Sequence, residues 1–115
     1  MENDKKLRVA AYVRVSEETK ETQHSLHAQV EFYRRQIQEK AEWELAGIYK
    51  DNGISGTDIK RREGLVRLIS DCEDGKIDVI LVKSVSRFAR NTLDLLRIVR
   101  HLKQLGISVR FEEQN

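Results

Sequence analysis

Four short apolar runs, each separated from the next by a stretch of helical periodicity, constrain this chain more than any other feature. Leu7 to Val15 is almost continuously apolar and β-branched at several positions, the pattern of a strand buried on both faces of a parallel sheet. Trp43 to Tyr49, Ile77 to Val82 and Ile107 to Phe111 read as three more strands. Between the first two, Ser16 to His24 is a polar loop, Ser25 is the expected N-cap, and Leu26, Val30, Tyr33, Ile37 and Ala41 recur on one helical face. Leu65, Leu68, Ile69 and Cys72 mark a second helix that Gly75 ends. Leu95, Ile98, Val99, Leu102 and Leu105 mark a third, with Asn91 as N-cap, Asp94 in its first turn and Gly106 as its stop.

Strands that alternate with helices imply an α/β fold with right-handed crossovers. The expected architecture is a mostly parallel sheet of four to five strands with helices on both faces. At 115 residues the chain suits one domain. No apolar run approaches the ~20 residues that span a bilayer, so no membrane association is expected. The single cysteine, Cys72, forms no intrachain disulfide; it lies on an apolar helix face and reads as core, and a reducing cytoplasm fits.

A net charge of +2 says little about partners, but its distribution says more. From Lys83 to Arg110 the basic residues are Lys83, Arg87, Arg90, Arg97, Arg100, Lys103 and Arg110, and the only acid is Asp94. Such a stretch can face a polyanion, and a solvated basic helix would account for the same residues.

Parallel α/β sheets place ligands at the carboxyl ends of their strands. Here those ends lead into Arg14-Val-Ser16, Asp51 to Arg62, and Lys83 to Arg90, the last with a short irregular or helical segment. Taken singly, each residue has an ordinary explanation. Ser16 could be a loop residue, Arg14 a strand-end ion pair, Arg62 part of an exposed Lys60-Arg61-Arg62 cluster, and Arg87 with Arg90 a solvated helix face. Their joint placement at three strand ends is what points to chemistry. Phosphoryl transfer is chiefly positioning and charge stabilisation, and arginine forks onto two phosphate oxygens while staying charged. Metal-ligand patterns are poor: His24 and His27 read as exposed, and there is neither an HExxH nor a P-loop. No cofactor is expected.

Tyr12-Val-Arg-Val-Ser16 resembles the Y-x-R-V-S signature of the serine site-specific recombinases, the resolvase–invertase superfamily. Ser25-Leu-His-Ala-Gln29, Tyr49-Lys-Asp51 with Gly53-Ile-Ser-Gly56, Arg62-Glu-Gly-Leu65, and Val79 through Asn91 resemble the motifs that follow it, in order, over nearly all of residues 7 to 112. The resemblance implies that Ser16 is the nucleophile and that Arg14, Arg62, Arg87 and Arg90 are active-site arginines. Gln29, Asp51 and Lys83 would be supporting polar residues. It implies cleavage and rejoining of double-stranded DNA through a covalent 5′-phosphoserine, within a tetramer, without ATP or metal, by a cytoplasmic protein of a bacterial, phage or other mobile element. Ser86 stands where many resolvases carry Asp, which leans toward the large recombinases. The resemblance also implies that residues 1–115 form the catalytic domain, with a dimerisation helix and a DNA-binding domain beyond it. The isolated core is then expected to be a monomer or a weak dimer.

Two other classes remain. A serine hydrolase of small substrates would want a GxSxG elbow and a partner histidine, and neither stands at these strand ends. A non-catalytic α/β binding or regulatory fragment would not need the arginines.

Overall fold

The computed structural model describes residues 5–15, 20–52, 63–83 and 92–112. They form β1 (Leu7–Val15), α1 (Lys20–Gln38), β2 (Trp43–Asn52), α2 (Glu63–Glu73), β3 (Val79–Val82), α3 (Thr92–Gln104) and β4 (Ser108–Phe111). The described strands make one four-stranded sheet in the order β2-β1-β3-β4, and every pairing is parallel.

β1 lies inside the sheet, which is why its sequence is apolar without alternation. Val9, Ala11 and Val13 pack on Leu26, Tyr33 and Ile37 of α1, together with Val79 and Leu81 of β3. Ala10 and Tyr12 turn the other way, toward Leu65, Leu68 and Cys72 of α2 and Leu102 of α3. Helices therefore cover both faces, as expected. Leu65, Leu68, Ile37 and Leu102 are fully buried. Each such aliphatic side chain contributes about 1.5–3 kcal/mol relative to exposure.

A register shift in β2 decides which face its later residues occupy. Val9 pairs with Leu45, but Ala10 pairs with Gly47. The extra residue reverses the alternation, because side-chain parity in a strand has period two. Leu45 and Ile48 consequently pack on the α1 side, whereas Tyr49 joins the α2 side.

α2 and α3 both end in a Schellman turn. The N–H of Gly75 donates to the Cys72 carbonyl and that of Lys76 to Asp71; Gly106 donates to Lys103 and Ile107 to Leu102. Both glycines have positive φ, 77° and 82°, which explains why glycine stands at each stop.

Several boundaries differ from expectation. α1 starts at Lys20, so Ser25 lies inside the helix rather than capping it. Lys20-Glu21-Thr22-Gln23 supplies mostly good helix formers, and these outweigh the capping preference of one serine. α1 ends at Gln38, leaving Ala41 exposed in a turn, and Leu105 is likewise an exposed turn residue. Ile77 and Ile107 are buried but precede β3 and β4. β2 runs on to Asn52, which places Asp51 in a strand instead of a loop. Asn91 and the segment from Ser84 to Arg90 lie outside the described residues.

Candidate active site

Because all four strands run the same way, their carboxyl ends share one edge of the sheet. At that edge Val15 pairs with Asn52, while β3 stops where Val82 pairs with Tyr12. β3 thus ends three residues short of β1, about 10 Å lower at ~3.3 Å per residue. From β1 the chain crosses to β2 on one side and then to β3 on the other. The crevice outside this reversal is where ligands of such sheets bind.

Arg14 and Asp51 are paired in register at this edge and are only 9% and 8% exposed, the two buried charged residues among those described. The Asp51 carboxylate accepts three hydrogen bonds. The Tyr12 hydroxyl donates to Oδ2 at 2.6 Å, and the backbone N–H groups of Gly64 and Leu65 donate at 2.7 and 3.1 Å. The amides belong to the first turn of α2, whose N–H groups have no partner within the helix. A carboxylate there also meets the positive end of the helix dipole. It does the work of an N-cap, but from a neighbouring strand. This approach needs Gly64: a Cβ on that residue would sit 2.4 Å from the Lys50 carbonyl oxygen and 3.0 Å from Asp51 Oδ1.

Gln29 and Lys83, expected to support the same centre, lie on the opposite, α1 side. They line a cleft of about 360 Å³ with Ser25, Phe32, Tyr33 and Glu112. There the Tyr33 hydroxyl donates to Glu112 at 2.9 Å, and Gln29 Nε2 approaches the Ser25 hydroxyl at 3.4 Å. Among the described residues, Gln29 Oε1 is buried without a hydrogen-bond partner. The structure therefore divides the expected supporting residues between two faces. Ser16, Arg62, Arg87 and Arg90 lie outside the described residues.

The basic stretch from Lys83 to Arg110 divides as well. Arg97, Arg100 and Lys103 are exposed on α3, whereas the Arg110 guanidinium lies 5.7 Å from the Trp43 ring centroid on the α1 side. His24 and His27 are both exposed on α1. No helix among the described residues is long and apolar enough to cross a membrane.

A concavity of about 790 Å³ opens at the amino edge of the sheet beside Lys5, Lys6, Arg8, Glu44 and Asp78. Its arginine is already committed. Arg8 forks onto the Asp78 carboxylate at 3.0 Å through both Nε and Nη2, and Nη1 donates to the Gly75 carbonyl at 2.6 Å. These bonds hold the Asp78 carboxyl below its ordinary range. The arrangement is a structural brace on the loop before β3.

Sequence reasoning missed the Tyr12 hydroxyl and Gly64 as parts of the carboxyl-edge arrangement. One signal was available, because glycine is an unfavourable choice in the first turn of a helix unless something must come close.

Comparison with known proteins agrees with this fold. Residues 9–115 match the family described as Resolvase, N terminal domain. A Pseudomonas putida resolvase/recombinase is 32% identical over 105 residues, covering 91% of this chain and 51% of its own length. The chain thus spans about half of that relative. The crystal structure of the N-terminal catalytic domain of TP901-1 integrase superposes with a TM-score of 0.75 at 28% identity, covering 91% of this chain and 76% of that one. The C-terminal catalytic domain of ISC1926 TnpA, an IS607-like serine recombinase, has a TM-score of 0.79 at 23% identity, which speaks for the fold alone; it covers 92% of this chain and 69% of its own. With the family match running from the middle of β1 past the end of β4, this chain belongs to the resolvase N-terminal domain family of serine recombinases.

Proposed function

We propose that residues 1–115 form the catalytic domain of a site-specific DNA recombinase in which Ser16 attacks a phosphodiester of the DNA backbone. The Ser16 oxygen forms a new bond to phosphorus, the 3′ oxygen leaves as a hydroxyl, and the 5′-phosphate remains joined to the serine. Reversal by a new 3′-hydroxyl reseals the strand, so the ester conserves the energy of the broken bond. Arg14, Arg62, Arg87 and Arg90 stabilise the negative charge that builds on the phosphoryl oxygens. Nearby cations also favour the alkoxide form of the serine. Gln29, Asp51 and Lys83 are supporting residues. The partners are double-stranded DNA and, in the longer protein, further copies of the chain in a dimer or tetramer. The cytoplasm is the compartment in which it acts.

The observation that carries this reading is Arg14, a buried arginine at the carboxyl end of the central strand, two residues before Ser16 and beside the reversal of strand order. The relatives named above support it.

The test uses the full-length protein in cells. Denaturant-resistant protein–DNA complexes are recovered, and the joined DNA is sequenced to define the site. A nicked duplex of that site then traps the cut state in vitro. The wild-type protein should form a covalent adduct through Ser16, and Ser16→Ala should form none. Equal adduct yield from both proteins would refute the assignment.

A further inference from the structure

We infer that the cleft on the α1 side is a nucleobase subsite, which holds the base of the nucleotide bearing the free 3′-hydroxyl while the strand is open. The inference rests on the proposed function and gives a role to the face of the sheet opposite Arg14 and Asp51.

The cleft lies at the carboxyl edge, one step down from the end of β1. Val82 of β3 pairs with Tyr12 and with Phe111 of β4, whereas β1 continues to Val15. Lys83 and Glu112 follow directly on β3 and β4 and line the cleft, and the N–H of Glu112 donates to the Val82 carbonyl at 2.9 Å. The cleft therefore opens about 10 Å below the strand end that leads into Ser16, at ~3.3 Å per residue. A nucleotide with its phosphate at the end of β1 reaches down such a step with its base. At about 360 Å³ the cleft is near the lower end of the roughly 300–1,000 Å³ usual for small-ligand sites, room for one base.

Its walls offer what a base requires. Phe32 is 55% exposed, a large apolar surface left in water. Its ring is backed edge to face by that of Tyr33, with centroids 5.4 Å apart and 73° between the planes. Tyr33 is buried, and its hydroxyl donates to Glu112 at 2.9 Å. An exposed ring fixed against a buried one is a stacking platform, and stacking suits any base because every base has a π-face. Ala28 stands four residues before Phe32, on the same helix face, and its small side chain leaves the space beside the ring open. Gln29 lines the cleft too, with its Oε1 buried and lacking a partner among the described residues. A buried carbonyl oxygen is costly until a donor reaches it. The exocyclic amino groups of adenine, cytosine and guanine are such donors, and thymine carries none.

The proposed reaction gives this subsite its purpose. Cleavage keeps the 5′-phosphate on Ser16 and frees the 3′-hydroxyl, so the nucleotide with that hydroxyl is no longer bonded to the protein-linked end. Resealing needs the hydroxyl back within reach of phosphorus, and a base seated in the cleft holds it there.

The experiment uses the full-length protein as its covalent adduct on the nicked duplex. A strand with the sequence of the fragment lost through the nick is added far below saturation, and its rejoining rate is measured. The strand carries either the natural base or an abasic sugar at its 3′-terminal nucleotide. Phe32→Ala should slow rejoining of the natural strand roughly 5- to 150-fold, the range that base–aromatic stacking commands. It should change the rate of the abasic strand less than about twofold, because no base is there to hold. General damage to the domain slows both strands alike; that result, or no slowing of the natural strand, overturns the inference. Ala28→Leu, which fills the cleft from an exposed helix position, should give the same pattern and replaces Phe32→Ala if that variant does not fold. An adduct formed by Ser16→Ala would instead overturn the proposed function itself, whichever way the two strands behave.

Discussion

Replacing Gly64 by alanine sets two physical effects against each other. Helix propensity alone predicts a gain, because alanine is better than glycine in a helix by about 1 kcal/mol. The packing predicts a loss. An added Cβ would lie 2.4 Å from the Lys50 carbonyl oxygen and 2.9 Å from its carbon, about 1 Å short of ordinary contact. These are backbone atoms of β2, a strand hydrogen-bonded along β1, so they do not rotate aside. Relief must come from moving α2 outward. Overpacking of this kind costs about 1–3 kcal/mol. Moving α2 also stretches the amide bonds that Gly64 and Leu65 make to the Asp51 carboxylate, and bonds to a charged group are worth about 1.5–3 kcal/mol each. If half of that is lost, the net destabilisation after the propensity gain is about 1.5–5 kcal/mol, a large share of the ~5–15 kcal/mol typical of a domain. Urea denaturation of both proteins measures it as a lower midpoint with an unchanged slope. A variant as stable as the parent, or more stable, would show that α2 does not depend on close approach to β2, and the packing argument would fail with it.

Two further outcomes follow from the buried and paired groups. Burial, with Asp71 and Glu73 adding to it, pushes the Cys72 thiol up to about 12, so at pH 8 the thiolate fraction is about one in ten thousand. A thiol-specific disulfide reagent should therefore leave Cys72 unmodified in the folded chain and react fully in denaturant; fast labelling of the folded chain would contradict its place in the core. Asp78 is held below its ordinary carboxyl range chiefly by its hydrogen bond with Arg8, so its contribution to stability is present above about pH 3.9 and is lost as pH falls through the lower folded value. Asp78→Asn should destabilise the protein near neutrality, and the gap from wild type should close on acidification from about pH 5 to about pH 2. A gap of constant size would mean that the pair contributes no pH-dependent stability.

The order and type of the elements were legible because burial imposes its pattern on the sequence. Leu7 to Val15 announces a strand covered on both faces, and Gly75 and Gly106 announce the two helix stops. Ends governed by contacts elsewhere were harder to read. Asp51 looks like a loop residue in isolation and becomes part of a strand because Arg14 is its register partner. Ser25 is a good cap by itself, yet it lies within a helix whose start is set several residues earlier. At the site, the edge that bears Arg14 was legible from strand order. The division of Asp51 from Gln29 and Lys83 was not, since it depends on the register shift between β1 and β2, at which the lone strand glycine Gly47 stands without fixing the extent of the shift.

The placement of β1 has a mechanical consequence. It is bonded on one side to β2 along its whole length and on the other to β3, both running parallel to it. On the proposed role, a pull on a DNA end joined to Ser16 reaches the sheet through this strand, and its component along the strand axis is the one the ladders resist together. Tension in that direction loads both ladders in shear, so many hydrogen bonds must yield together instead of peeling one after another. The protein would thus tether its cargo to an interior strand paired on both sides while broken ends are moved.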